Sequence, residues 1–485
     1  MLSRTEPFPV TEVVAHRRPS RISQQLAVQG RISLSEVLSA LSCALDLTEG
    51  APAGHSMRSC LIGMRIAEAI GLEPDQRSAL YYALLLKDAG CSSNAGRIAA
   101  LFAADDQAIK PRMKSVDWHA RVRLALETAR AVAPGRPLRA RLRQFVTVAR
   151  TPDATRELIR IRCDRGAAIA FQLGFPEETA HAIRSLDEHW CGRGYAEGLA
   201  EERIPLLARI ANLAQTVEVF HDRGGVEAAH RVVRERSGRW FDPALARIVL
   251  AWRADDPWWA LLRGDVGGAV VAAEPADRVM EVDDEGLDSV ARAFADIIDA
   301  KSPFTYRHST RVATIARRVA ERCGLDAIEQ RRIYRAGLLH DIGKLGISSR
   351  ILDKDGAMTE EEREQMERHP QYTLDILERV SAFRDFARTA ALHHERLDGS
   401  GYPFHYDGEE LDLSARILCV VDIYDAISSD RPYRKAMVPA VITSILERDR
   451  GTRLCPVALD ALHAVREELA ANSGNDANHP GLGCV

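Results

Sequence analysis

The chain has 485 residues, of which 46% are hydrophobic and 28% charged, with 65 Lys plus Arg against 69 Asp plus Glu. This composition excludes wholesale disorder and a fibrous repeat, and the length suits two to four domains. The formal net charge of −4 gives no electrostatic case for binding a DNA or RNA duplex, and an aromatic content of 6% leans toward helices rather than a β-sandwich.

Residues 1–30 carry Pro, Arg and Gln with weak periodicity and no apolar signal core, which predicts a mobile arm and no export. From Ser33 the pattern changes. Leu34, Val37, Leu38, Leu41, Ala44 and Leu45 fall at helical spacing, with Ser33 placed to cap the helix and Glu36 three residues on. Amphipathic runs follow at about 56–71, 77–88, 118–132, 154–173 and 203–220. They resume at 286–300, 308–323, 327–340, 359–379, 382–393, 412–427 and 437–449. Strand signals are scarce, so the predicted class is all-α. Residues 251–285 break the rhythm and read as a connector, and 471–485 read as a disordered tail. No stretch approaches the roughly 18 apolar residues needed to cross a bilayer, so no membrane partner is expected. Nine scattered cysteines without a CxxC fit reduced thiols and a cytoplasmic location.

The sequence repeats itself. GHSMRSCLIGMRIAEAIGL near Gly54 matches RHSTRVATIARRVAERCGL near Arg307, with 308 − 55 = 253 separating His55 from His308. Asp88 and Asp341 share that offset. Further on, Tyr195 pairs with Tyr402 and Arg209 with Arg416, both at 207. The fall of 46 places an insertion in the first copy, within 89–161. The prediction is a tandem of two related helical bundles, over 31–250 and 286–470.

The second copy concentrates histidines. His308, His340, His369, His393 and His394 lie within 87 residues, with Asp341 beside His340 and Asp422 further on. Imidazole with carboxylate suits divalent iron, manganese or zinc. Neighbours on a helix point about 100° apart, so the adjacent pairs His340–Asp341 and His393–His394 reach two nearby metals more readily than one. A dinuclear centre lowers the pKa of a shared water and clamps a phosphodiester for in-line attack. Lys344, in HDIGK, is placed to stabilise charge building on phosphate oxygens, and Arg431 and Arg434 offer forked donors to a second phosphate. In HHERLDGSGYP, Gly399 and Gly401 are read as permitting positive φ, and Tyr402 either stacks on a base or plugs the loop.

HDIGK at 340–344, HHERLDGSGYP at 393–403 and VDIYDAISSDRPYR at 421–434 resemble the HD-GYP family of metal-dependent phosphohydrolases, over roughly 286–470. The resemblance implies a phosphodiesterase that hydrolyses cyclic di-GMP to pGpG or GMP with metal-activated hydroxide. Another cyclic dinucleotide as substrate, or a sensor that does not turn over, stays open. It implies His308, His340, Asp341, His369, His393, His394 and Asp422 as ligands of two divalent ions, iron or manganese, with Asp341 as the bridge. Asp341 and Lys344 would be catalytic, and Lys344, Gly401, Tyr402, Arg431 and Arg434 would hold substrate. Phe304 stands where three-metal members carry Glu, which favours two metals. A homodimer and a signalling partner are compatible with the sequence and specified by nothing in it. In the first copy His55 and Asp88 persist, but His340 becomes Lys87, His369 becomes Arg162, His393 becomes Leu186, His394 becomes Asp187, Asp422 becomes Gln215 and Lys344 becomes Cys91. That copy is expected to bind no catalytic metal.

Overall fold

The computed structural model describes residues 32–195, 197–275, 281–430 and 435–476. Regular structure there is helical apart from one antiparallel ladder of two residues per strand, pairing Ile32 with Val282 and Ser33 with Glu281. The two repeats are two bundles of matching helices. His55–Ile70, Pro74–Leu86, Pro152–Gln172, Glu177–Arg184 and Leu206–Arg236 build the first. His308–Arg322, Ala327–Leu339, His369–Leu377, Arg384–Ala391 and Leu413–Ser428 build the second. Local signals recur at matching points. The first helix of each set stops at a left-handed glycine, Gly71 at φ 68° and Gly324 at φ 80°. The N-cap Asp326 accepts from the amides of Ile328 and Glu329.

Each bundle is preceded by a crossing helix, Leu34–Thr48 or Asp284–Asp299. Leu34–Thr48 is buried on nearly all sides, because it packs against its own bundle, against the short helix Val266–Ala272, and against Ile342–Gly346 and His369–Leu377 of the second bundle. One hydrophobic core therefore runs through both repeats, from Leu38, Leu45, Leu84 and Leu213 to Phe294, Leu338, Leu377 and Leu462. Polar contacts also join the repeats. Asp106 accepts from the Ser349 amide at 2.9 Å, Gln107 Nε2 donates to the carbonyls of Leu47 and Leu345, and Gln172 Nε2 donates to Asp296.

Several expectations change. Ser33 precedes the first helix but does not cap it; its hydroxyl, with that of Ser35, turns to Glu274, and Glu36 accepts from the Ser381 amide. The 251–285 segment is not a passive connector. Trp259, Leu262 and Val270 are buried in the core, the Val270 carbonyl accepts from Tyr81, and Glu274 accepts from Tyr82. The insertion is four helices, Ala95–Phe102, Asp106–Ser115, Arg121–Ala131 and Leu138–Arg150. The last helix, Pro456–Asp476, runs into the stretch read as a tail. The expected arm at 1–30 and residues 477–485 lie outside the described residues, as do Arg431 and Arg434. No helix among the described residues is long and apolar enough to cross a membrane.

Candidate metal centre

Most of the candidate side chains of the second repeat sit where helices begin or end. His308 and His369 are the first residues of their helices. His340 and Asp341 follow Ala327–Leu339 at the turn into Ile342–Gly346. His393 and His394 follow Arg384–Ala391, and Asp422 lies inside Leu413–Ser428. Helix ends converge at one point because the chain leaves Gly343 without a side chain: a Cβ there would strike the carbonyl of His369.

All seven predicted ligands come together. Asp341 divides them by its two oxygens. Oδ2 lies 3.6 Å from His308 Nε2 and 3.4 Å from His340 Nε2, while Oδ1 lies 3.5 Å from His369 Nε2 and 3.6 Å from His393 Nε2. Asp422 completes the first group, at 3.3 Å from His308 and 3.7 Å from His340, and its other oxygen is 3.9 Å from His394 Nδ1. His308, His340 and Asp422 form one set with metal-ligand spacing, and His369, His393 and His394 form another. Within this centre His308 Nε2, His340 Nε2 and Asp341 Oδ1 are buried without hydrogen-bond partners. Buried polar atoms are rarely left this way, and a cation between them would satisfy all three.

The opposite edge of each ring is fixed. His340, His369 and His393 each place Nδ1 on the carbonyl three residues earlier, of Gly337, Met366 and Ala390, at 2.7 to 2.8 Å. His308 Nδ1 instead meets Asp425 Oδ2 at 2.7 Å, and Arg311 grips Asp425 through Nε and Nη2. A donated Nδ1–H leaves the Nε2 lone pair free for a cation. Asp425 and Arg311 are absent from the sequence reading. The repeat held the signal, because Glu218 stands 207 residues before Asp425 and likewise meets His55.

Electrostatics support cation binding. Burial opposes charge on His308, but the nearby carboxylates of Asp341, Asp422 and Asp425 outweigh it and raise its pKa well above the usual value. The same carboxylate pull would be answered by a divalent ion. Burial lowers His369, His393 and His394, which keeps these imidazoles neutral and able to ligate. Against its own burial, Asp341 is held well below the carboxylate range by His340 and Lys344.

Lys344 Nζ lies 2.6 Å from Asp341 Oδ2, beside the centre. The Tyr402 ring lies 4.7 Å from that of His394, at the rim. Gly399 has positive φ, 70°, but Gly401 does not. Gly401 is needed for space, since a Cβ would lie 2.6 Å from the His394 carbonyl. Glu395, also absent from the sequence reading, is the cradle of this loop. It accepts from the amides of Phe404, His405 and Tyr406.

At the matching place in the first repeat, Lys87 pairs with Asp88 and Arg162 with Asp187. Cations thus stand where the second repeat has His340 and His369.

The HD domain family profile matches residues 148–245 and 292–456, one segment in each repeat. A 3′3′-cGAMP-specific phosphodiesterase 3 of Vibrio cholerae serotype O1 is 40% identical over 90% of this chain and 95% of its own. A cyclic di-GMP phosphodiesterase response regulator of Xanthomonas campestris is 36% identical over 42% of this chain and 55% of its own. Among solved structures, a cyclic GMP-AMP specific phosphodiesterase of V. cholerae superposes with a TM-score of 0.62 at 36% identity, covering 90% of this chain and 98% of that one. Repeated family matches, full-length likeness and the gathered histidine–aspartate set lead to one conclusion: this chain is a member of the HD-GYP branch of the HD domain family.

Proposed function

We propose that the second repeat is a two-metal phosphodiesterase for a cyclic dinucleotide and that its substrate is 3′3′-cGAMP. The observation that carries the reaction class is the division of Asp341, one oxygen facing His308 and His340 and the other facing His369 and His393. A carboxylate so placed would help hold two ions, one through each oxygen. His308, His340 and Asp422 would hold one, and His369, His393 and His394 the other; iron or manganese suits the imidazole-rich set. Bound there, the pair would supply a nucleophile at neutral pH and a clamp on the phosphodiester. The chain's own part is to fix the rings through their Nδ1 atoms, and to place the Lys344 ammonium where it meets charge growing on a phosphate oxygen. Tyr402 offers a ring at the rim for a base, and Arg431 and Arg434 belong to the phosphate-holding set of this reading.

The choice of substrate rests on coverage. A relative that shares both repeats is named for 3′3′-cGAMP, whereas the cyclic di-GMP enzyme of Xanthomonas aligns with less than half of the chain. The reading includes a cytoplasmic site of action, supported by the eight described cysteines, all unpaired.

The test is anaerobic purification with metal analysis, then incubation with 3′3′-cGAMP and with cyclic di-GMP beside a His340→Ala, Asp341→Ala variant. A linear dinucleotide from 3′3′-cGAMP, in wild type only and faster than from cyclic di-GMP, is expected. Preference for cyclic di-GMP would overturn the substrate alone. No product from either, with two metals bound, would overturn the enzyme.

A further inference from the structure

The inserted helix Asp106–Ser115 delivers two lysines into the first repeat at the position of the catalytic turn. Lys114 Nζ lies 2.7 Å from Glu49 Oε2 and 3.5 Å from Asp88 Oδ1, and its side chain is only 18% exposed. Lys110 Nζ lies 3.3 Å from Glu49 Oε1 and donates to the carbonyls of Thr48 and Cys91. Lys87 takes the other oxygen of Asp88. The anionic side of this arrangement is a ligand set in its own right. One donor atom each from Glu49, Asp88 and Cys91 lie within 4.8 Å of one another, all three residues buried. His55 stands beside this set and outside it. Its Nδ1 is held by Glu218, and its Nε2 is buried and unpartnered, as is that of His308 in the second repeat.

We propose that the first repeat keeps a single-cation site walled by Glu49, Asp88 and Cys91, with His55 alongside, and that Lys114 is its resident cation. A tethered ammonium would stand where a divalent ion of the zinc or cobalt class fits, since carboxylate, thiolate and imidazole together select such ions. Removing the Lys114 ammonium leaves Lys87 on Asp88 and Lys110 on Glu49 and takes one positive charge from the buried set, which a divalent ion, displacing the thiol proton to solvent, would restore. Lys114 comes from the insertion, so the second repeat has no counterpart and its centre stays free for metals.

The test uses full-length, chelator-treated protein titrated with Co²⁺. The second-repeat centre offers only nitrogen and oxygen, so a cobalt–thiolate charge-transfer band that disappears with Cys91→Ser reports Cys91. Wild type is expected to show no such band. Lys114→Ala is expected to gain the band together with one extra cobalt per chain, and to lose the band in Lys114→Ala, Cys91→Ser. The metal-free variant is expected to melt earlier than wild type and to recover on adding Co²⁺. Lys114→Gln, closer in volume, is the second variant. A folded Lys114→Ala with no band and no extra cobalt would overturn the proposal, as would the band in wild type. Failure of both variants to fold with Co²⁺ as without it would overturn it too, because the ion is proposed to replace the ammonium.

Discussion

His55 and His308 open matching helices in the two repeats, and each ring gives Nδ1 to a carboxylate, Glu218 or Asp425, that an arginine, Arg58 or Arg311, grips in turn. Asp46 and Asp299 accept from the amide and hydroxyl of Ser56 and Ser309. Gly90 and Gly343 both leave room for a backbone carbonyl, of Arg162 and His369, and Gly194 and Gly401 both sit against the residues of the HHE-type turn. Glu188 cradles amides at Glu197 and Gly198 as Glu395 does at its own loop. The repeats diverge at the side chains of the histidine–aspartate set, where a cation would sit. The skeleton is retained because burial enforces it: an unpaired buried group or an impossible Cβ contact costs folding energy whether or not chemistry follows. The ligands answer only to the ion, so they can be exchanged for lysine and arginine that bring the positive charge themselves.

The largest expected contrast is between Asp341→Ala and Asp88→Ala. The first should cut turnover by roughly a thousandfold. The second should leave turnover unchanged and lower stability by ~3–5 kcal/mol, because Lys87 and Lys114 lose their buried partner; steady-state kinetics and chemical unfolding measure both. Next, Asp425→Asn should weaken metal affinity ~10–100-fold by freeing His308. Glu218→Gln should leave metal content unchanged and cost ~1–3 kcal/mol. That carboxyl is brought down to about 2, because His55 and Arg58 outweigh its burial. Glu395→Gln should raise KM roughly tenfold by loosening the loop around Tyr402, worth ~1.4 kcal/mol, whereas Glu188→Gln should not touch KM.

A further effect, on stability alone, concerns pH. Burial raises Asp299 from 3.8 to about 6. The folded state therefore holds this proton more tightly than the unfolded chain, and stability falls as pH rises from about 4 to about 6. Asp299→Asn should flatten that slope by ~2 kcal/mol. Unfolding midpoints at pH 4 and pH 6.5 measure it, and an unchanged slope would mean another group sets it.

His340, Asp341, His393, His394 and Asp422 were legible in dense, unusual strings, whereas His308 and His369 stand alone and were read from the crowding of five histidines within 87 residues and from the family resemblance. The two-fold organisation was legible from the 253 and 207 offsets. What escaped was decided across space. Ser33 has the sequence of a cap, but Glu274, 241 residues away, takes its hydroxyl. Helix Leu138–Arg150 leaves Leu138 and Leu142 exposed and packs only Phe145 and Val148, partly, against a small cluster apart from the main core. Asp425 is one acid in a helix, notable only when Glu218 is laid beside it. Lys114 lies in an insertion with no counterpart to compare.

The helix Leu34–Thr48, wedged between the bundles, bears on why a copy lacking most of the histidine–aspartate set persists. Duplicated modules are ordinarily lost once their chemistry decays, since deletion costs the cell nothing. Here a deletion ending near residue 280 would strip the cover from Leu345, Leu377 and their neighbours, which are fully buried in the shared core. The surviving half would present an apolar face to water and to other copies of itself. The first repeat thus serves as cover for the second, and genomes carrying only the second half should show polar substitutions on that face.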